Sequence, residues 1–253
     1  MDITIGILIP FIGTTLGAGL VFFMKNKIKN EIERFLLGFA SGVMIAASVW
    51  SLLIPAIETE QETGHIAWIM PSIGFMLGIL FLLLIDIIVP YFKFTKEQSK
   101  LKRTTMLTLA VTIHNIPEGM AVGVIFAGFL SGNANITYAV ALALSIGIAV
   151  QNFPEGAIIS LPLKGDGYSK IKSFIYGTLS GIVEPIAAVL TLCLTNIIAP
   201  LMPLILSFAA GAMIYVVAEE LIPGANTLKQ SSIGTIGVSI GFVLMMILDV
   251  ALG

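Results

Sequence analysis

Two hexapeptides carry residue types that could do chemistry: His114-Asn115-Ile116-Pro117-Glu118-Gly119 and Gln151-Asn152-Phe153-Pro154-Glu155-Gly156. In each, the first residue and the glutamate are four apart and the asparagine and the glutamate three apart. On a helix all three side chains then crowd one face. Such a face is a set of nitrogen and oxygen donors. Pro117 and Pro154 remove the intrahelical bonds to the carbonyls of Ile113 and Val150, which bends each helix and leaves those oxygens seeking partners. Gly119 and Gly156 allow close packing beside the bend. Carboxylates bring charge, imidazole suits a first-row transition metal, and amide oxygens complete a coordination shell. The chemistry that fits is the binding of a divalent cation.

The elements that must position these groups follow from composition. Of 253 residues, 57% are hydrophobic and 11% charged, against about a quarter charged in ordinary soluble domains. Apolar stretches of roughly 20 residues recur along the chain, as bilayer-spanning helices require. The positive charges fall into four clusters: Lys25 to Arg34, Lys93 to Arg103, Lys164 to Lys172, and Lys229. The three blocks between them hold two crossings each. One further crossing precedes Lys25 and one follows Lys229, giving eight helices with every positive cluster on one face. By the positive-inside bias that face is cytoplasmic and both termini are outside.

The expected spans are 5–24, 35–57, 68–91, 104–130, 135–163, 173–196, 201–223 and 233–252, with a cytoplasmic linker at about 92–103. The chain reads as a single transmembrane domain over 1–253, an all-α bundle whose matched antiparallel motifs suggest an inverted repeat. The first apolar run lacks a basic leader and reads as a retained helix. Trp50 and Trp68 fall toward the outer ends of their helices, where amphipathic rings favour the headgroup zone. Glycine pairs at four-residue spacing, Gly13 and Gly17, Gly38 and Gly42, Gly74 and Gly78, Gly177 and Gly181, Gly237 and Gly241, point to close helix packing within the chain. A net charge of -2 gives no field for nucleic acid. One cysteine, Cys193, makes neither a disulfide nor a thiolate cage.

Seven acids lie within or at the ends of spans: Asp86, Glu118, Glu155, Glu184, Glu219, Glu220 and Asp249. No Lys or Arg accompanies them there. A charge at the bilayer centre costs at least ~2.5 kcal/mol, so such groups normally face an interior site with a counter-charge. At ~1.5 Å per residue, His114 comes level with Glu155, and Glu118 with Gln151, on antiparallel helices, while Glu184 reaches a similar depth. Three helices thus deliver three carboxylates, one imidazole and amide oxygens to the midplane. Three carboxylates at one level repel one another, so they should bind a cation or take up protons. Asp86 and Asp249 lie nearer helix ends and are expected to be solvated or to pack. Glu58, Glu60, Glu62 and His65 are expected in a solvated outer loop. Met44, Met120 and Met213 read as packing residues.

At these residues the chain resembles the ZIP (Zrt-, Irt-like protein) family of divalent metal transporters, in its prokaryotic GufA-like branch. The likeness spans the whole length: eight helices, the HNxPEG and QNxPEG pair, Glu184-Pro185 on the sixth helix, and Glu219-Glu220-Leu221-Ile222-Pro223 on the seventh. The resemblance implies a first metal position matched by His114, Glu118, Gln151 and Glu155. It implies a second matched by Asn115, Asn152 and Glu184, with Glu118 and Glu155 bridging the two. Asn152 stands where some binuclear members have aspartate, which removes a negative charge. Glu219 and Glu220 stand where other members often have His-Glu, on an implied exit path. A homodimer in the plasma membrane and transport toward the cytoplasm are implied too.

The expected function is therefore transport of divalent transition metals through a site between the fourth, fifth and sixth helices by alternating access, which suits midplane sites beside broken helices. One histidine among carboxylates and amides favours zinc, with Fe(II), Mn(II), Co(II) and Cd(II) open. The metal is substrate; no catalytic cofactor is expected, and the chain is not read as an enzyme. Two other classes compete. An intramembrane metal-dependent hydrolase could use the same donors, but there is no H-E-x-x-H pair. A proton-coupled alkali-cation antiporter would use the carboxylates and leave His114 idle.

Overall fold

The computed structural model describes residues 3–23, 29–88, 99–132, 136–194, 199–226 and 232–252; of residues 99–111, 113, 114, 199 and 252 it describes the backbone alone. The described residues form eight long helices. They are α1 (Ile3–Gly19, extended by the tight turn Leu20–Phe22), α2 (Asn30–Glu62), α3 (Ile69–Ile88) and α4 (Ser99–Leu130). Then come α5 (Tyr138–Gly165), α6 (Lys170–Cys193), α7 (Met202–Ala225) and α8 (Ile233–Leu252). Seven are long and apolar enough to cross a membrane, and α4 carries the apolar stretch Asn115–Leu130. In hydrocarbon a helix satisfies its own backbone polar groups, which is why these runs fold as they do. The protein is an all-α, multi-pass membrane protein.

Several expected boundaries move, two of which concern segments singled out in the sequence. The helix expected to stop at 57 continues to Glu62, because Glu and Gln sustain a helix after it leaves the apolar run. The stretch holding Glu58, Glu60 and Glu62 is thus not a loop. Glu60 is buried, and its carboxylate lies 3.3 Å from His65 Nδ1. At the other boundary, α4 begins at Ser99, so residues 99–103 of the expected linker are helical, as Lys and Arg readily permit. Residues 92–98 lie outside the described residues.

Two helices contain a wide turn. In α2 it covers Ser48–Leu53 and in α7 Val217–Leu221, and in each the backbone bonds back five residues, Ile54 N–H to the Val49 carbonyl and Ile222 N–H to the Val217 carbonyl. The same tripeptide closes both, Leu53-Ile54-Pro55 and Leu221-Ile222-Pro223. Proline has no N–H to give the carbonyl four residues back, and the wide turn absorbs that break. With every helix crossing, α2 and α7 run in opposite senses. A residue within or just before each wide turn also bonds to an aspartate of a neighbouring helix. Ser51 of α2 donates to Asp249 of α8, and Tyr215, just before the α7 turn, donates to Asp86 of α3 at 2.7 Å. Asp86 and Asp249 are therefore hydrogen-bonded to neighbouring helices. Repetition of sequence, turn and acid in antiparallel halves is the inverted-repeat character expected.

The glycines show how the bundle divides. A methyl group on Gly38 or Gly42 of α2 would lie 2.1 Å from the Gly234 carbonyl or 2.0 Å from the Val238 carbonyl of α8; on Gly78 of α3 it would lie 2.0 Å from the Phe208 carbonyl of α7. Likewise a methyl group on Gly17 of α1 would lie 1.8 Å from the Phe153 carbonyl of α5, and one on Gly119 of α4 would lie 2.3 Å from the Glu184 carbonyl of α6. Gly181 of α6 seats against Thr14 of α1. The helices thus form two groups, α1, α4, α5 and α6, where backbone rests on backbone in the pairs α1–α5 and α4–α6 and the Thr14 side chain joins them, and α2, α3, α7 and α8. Between the groups the glycine contacts are softer. Gly147 of α5 meets the thioether of Met245 of α8, and Gly128 of α4 meets that of Met202 of α7. The five glycine pairs read from the sequence all pack inside the chain.

Candidate metal site

The paired motifs sit on α4 and α5, each proline inside one continuous helix. Glu184 comes from a different local structure. Pro185 cannot donate to the Gly181 carbonyl, so Glu184 N–H takes it at 3.1 Å and α6 breaks into Lys170–Ser180 and Val183–Cys193. Glu184 then lies in the first turn of the second segment, where free amides and the helix dipole favour negative charge.

These elements bring six of the seven expected ligand residues into view. Gln151 donates to Glu118 Oε1 at 2.6 Å. Asn115 donates to Glu184 Oε1 at 2.9 Å and Asn152 to Glu184 Oε2 at 2.8 Å. Asn115, Glu118, Gln151, Asn152 and Glu184 are no more than 1% exposed, and Glu155 is 7% exposed. Glu155 lies close enough to Glu118 and Glu184 for their charges to interact. The seventh residue, His114, lies on α4 one turn before Glu118, and its side chain is outside the described residues. The count along antiparallel helices that sets Glu118 level with Gln151 agrees with their contact.

The donor set can be tested against a cation. Among the described residues no Lys or Arg bonds to Glu118, Glu155 or Glu184. Four buried oxygens, Asn115 Oδ1, Glu118 Oε2, Gln151 Oε1 and Asn152 Oδ1, have no hydrogen donor among the described residues. An unmatched buried acceptor costs about 1–3 kcal/mol, and a cation would offset this at several at once. Among the described residues, which leave out the His114 side chain, no three of His, Cys, Asp and Glu group closely enough to hold a metal, and the further oxygens on offer are those of the amides.

A file of acids continues from the site. Glu155 interacts electrostatically with Glu220, and Glu220 with Asp86 and Glu219. Glu219 is exposed and Glu220 partly so, both on the wide turn of α7. Sequence reasoning missed two contributors on α1. The Thr14 hydroxyl donates to Glu184 Oε1 at 3.3 Å, and the Pro10 carbonyl accepts from Asn152 at 3.4 Å. The available signal was a polar Thr14-Thr15 pair between Gly13 and Gly17, four residues beyond a proline in an otherwise apolar helix.

Comparison with known proteins agrees with this architecture. A family model described as ZIP zinc transporter matches residues 3–105 and 95–249. The chain is 34% identical to zinc transporter ZIP11 of Xenopus tropicalis, over 98% of this chain and 96% of that protein. It is 34% identical to zinc transporter ZIPB of Bordetella bronchiseptica, over 96% of this chain and 79% of that one. Zinc transporter GufA of Myxococcus xanthus is 32% identical, over 95% of this chain and 96% of that protein. These relatives are named as transporters and not as enzymes, which sets the hydrolase aside. With an all-helical bundle, a motif pair facing across α4 and α5, and a match over nearly its whole length, the chain belongs to the ZIP zinc transporter family.

Proposed function

We propose that the protein carries divalent transition-metal ions across the membrane toward the cytoplasm, with zinc as the main cargo. Fe(II), Mn(II), Co(II) and Cd(II) are the candidate competitors. The observation that carries this reading is that, among the described residues, three buried carboxylates have no basic partner and four buried oxygens, one of Glu118 and three of amides, have no hydrogen donor. His114, Glu118, Gln151 and Glu155 would hold the first ion. Asn115, Asn152 and Glu184 would hold a second, with Glu118 and Glu155 shared. A cation placed among fixed oxygens exchanges its hydration shell for protein ligands without leaving charge uncompensated in hydrocarbon. Glu220 and Glu219 would take the ion onward, since their charges continue from Glu155.

The division of the helices supports alternating access. The described ligands all belong to α4, α5 and α6, within the α1, α4, α5, α6 group, whereas Glu219, Glu220, Asp86 and Asp249 belong to the other. Backbone contact makes each group stiff, and flexible methionines between them let one slide past the other with its ligand set intact. The reading includes one transmembrane domain over 1–253 and a homodimer in the plasma membrane, the dimer resting on the family likeness. The test is uptake of radioactive zinc by purified protein in liposomes with competing metals. Saturable uptake in the wild type, and its loss in Glu118→Ala and Glu155→Ala that remain inserted, is the expected result. Wild-type flux in both variants would overturn the site. Sodium flux insensitive to excess zinc would favour the antiporter instead.

A further inference from the structure

We propose that Thr14 is a positioning residue of the metal site, reaching Glu184 from a helix that carries neither paired motif. The inference rests on the metal-transport reading and assigns α1 a part in it. Thr14 is 1% exposed, and its hydroxyl lies 3.3 Å from Glu184 Oε1 and 3.5 Å from the Pro10 carbonyl. One hydrogen therefore has two acceptors within reach.

The hydroxyl has little freedom to go elsewhere. A methyl group on Gly156 would meet the Thr14 carbonyl at 2.1 Å, and one on Gly181 would meet Thr14 Oγ1 at 2.7 Å. Two glycines, on α5 and α6, thus form the notch in which this threonine sits. Glu184 accepts from Thr14, Asn115 and Asn152, so both its oxygens already have donors. Oε1 accepts two of these bonds and Oε2 only the one from Asn152, so a cation can take the remaining lone pair of Oε2 while Thr14 and Asn115 hold Oε1. Thr14 thereby fixes the orientation of the carboxylate both before and after the ion arrives.

The consequence lies in apparent affinity. Thr14→Val keeps the shape and removes the hydroxyl; Thr14→Ser keeps the hydroxyl. A hydrogen bond to a charged group is worth enough to shift binding by roughly tenfold or more. In zinc uptake by proteoliposomes, Thr14→Val should raise KM about tenfold with the maximal rate per inserted protein within about twofold, and Thr14→Ser should restore most of KM. A purely structural role would lower the amount of inserted protein and leave KM alone. An unchanged KM in Thr14→Val, or an equal rise in Thr14→Ser, overturns the proposal. If Thr14→Val inserts poorly, Thr14→Ala is read by the same KM criterion. Glu118→Ala is assayed alongside: its inactivity with an unaltered Thr14→Val retires this inference alone, whereas wild-type flux in Glu118→Ala retires the transport site beneath it.

Discussion

The side-chain amide of Gln151 donates to Oε1 of Glu118 across 2.6 Å, and the oxygens left over, Gln151 Oε1 and Glu118 Oε2, have no donor among the described residues. The contact joins α4 to α5 where the antiparallel motifs cross. It also fixes which atoms are left over. The amide nitrogen serves the carboxylate, so the amide oxygen is turned to other use, and the pair offers a cation one oxygen from each helix.

Gln151→Leu removes both the donor to Glu118 and one ligand oxygen while keeping an apolar side chain of similar size. Losing a hydrogen bond to a charged group costs about 1.5–3 kcal/mol, so the KM for zinc should rise by roughly ten- to a hundredfold. Initial uptake rates over a range of zinc concentrations measure it, and an unaltered KM would remove Gln151 from the ligand set.

Asn152→Asp replaces a donor to Glu184 with a second negative charge. Two adjacent carboxylates repel until a dication lies between them, so binding at the second position should strengthen. Calorimetric titration should show stoichiometry rising toward two ions per chain. The same stoichiometry and affinity as the wild type would argue against a second position there.

Because the ligand carboxylates must be ionised to hold a metal, protons compete for the same oxygens. Uptake at fixed subsaturating zinc should therefore increase as pH rises from about 5 to 8, and the zinc affinity should increase with it. Flat affinity across that interval would contradict competition at Glu118, Glu155 and Glu184.

Tyr215→Phe removes the hydrogen bond to Asp86 and leaves the ring. If Asp86 is part of the onward path with Glu219 and Glu220, turnover should change while the KM set at the midplane site does not. The size of a single hydrogen bond makes a two- to tenfold change in maximal rate the expected range. A shift in KM alone would place Tyr215 elsewhere in the cycle.

Gly42→Ala should damage the fold rather than the chemistry. Its methyl group would lie 2.0 Å from the Val238 carbonyl, a main-chain atom that cannot swing aside. Overpacking of this kind typically costs 1–3 kcal/mol, to be seen as a lower melting temperature in detergent. Gly147→Ala meets only the end of Met245, and its melting temperature should fall less.

Much of this could be read from the chain because the motif spacing is local. Three- and four-residue intervals place His114, Asn115 and Glu118 on one helical face whatever the tertiary structure, and an antiparallel partner with the same spacing fixes their level. Charge clusters separated the helices for a similar reason. The Thr14 contact was not legible, since it joins residues 170 apart in sequence and depends on glycines of two other helices. Nor were the wide turns of α2 and α7, because a search for a period of 3.6 assumes the very register they break. The glycine pairs announced close packing but not their partners. Asp86 and Asp249 looked idle only because Tyr215 and Ser51 lie far along the chain.

The extra residue in each wide turn also acts as a register shift. Every added residue turns the remainder of a helix by about 100° relative to what precedes it, so the far end of α2 presents a different side to its neighbours than an unbroken helix would. Excising a single residue between Ser48 and Leu53 would swing Glu60 away from its sheltered place beside His65. The corresponding excision between Val217 and Leu221 would redirect the terminal turn of α7, where the Ala225 carbonyl receives Arg34. A lone deletion at either place should thus be felt at the far tip of the helix, several ångströms beyond the lesion.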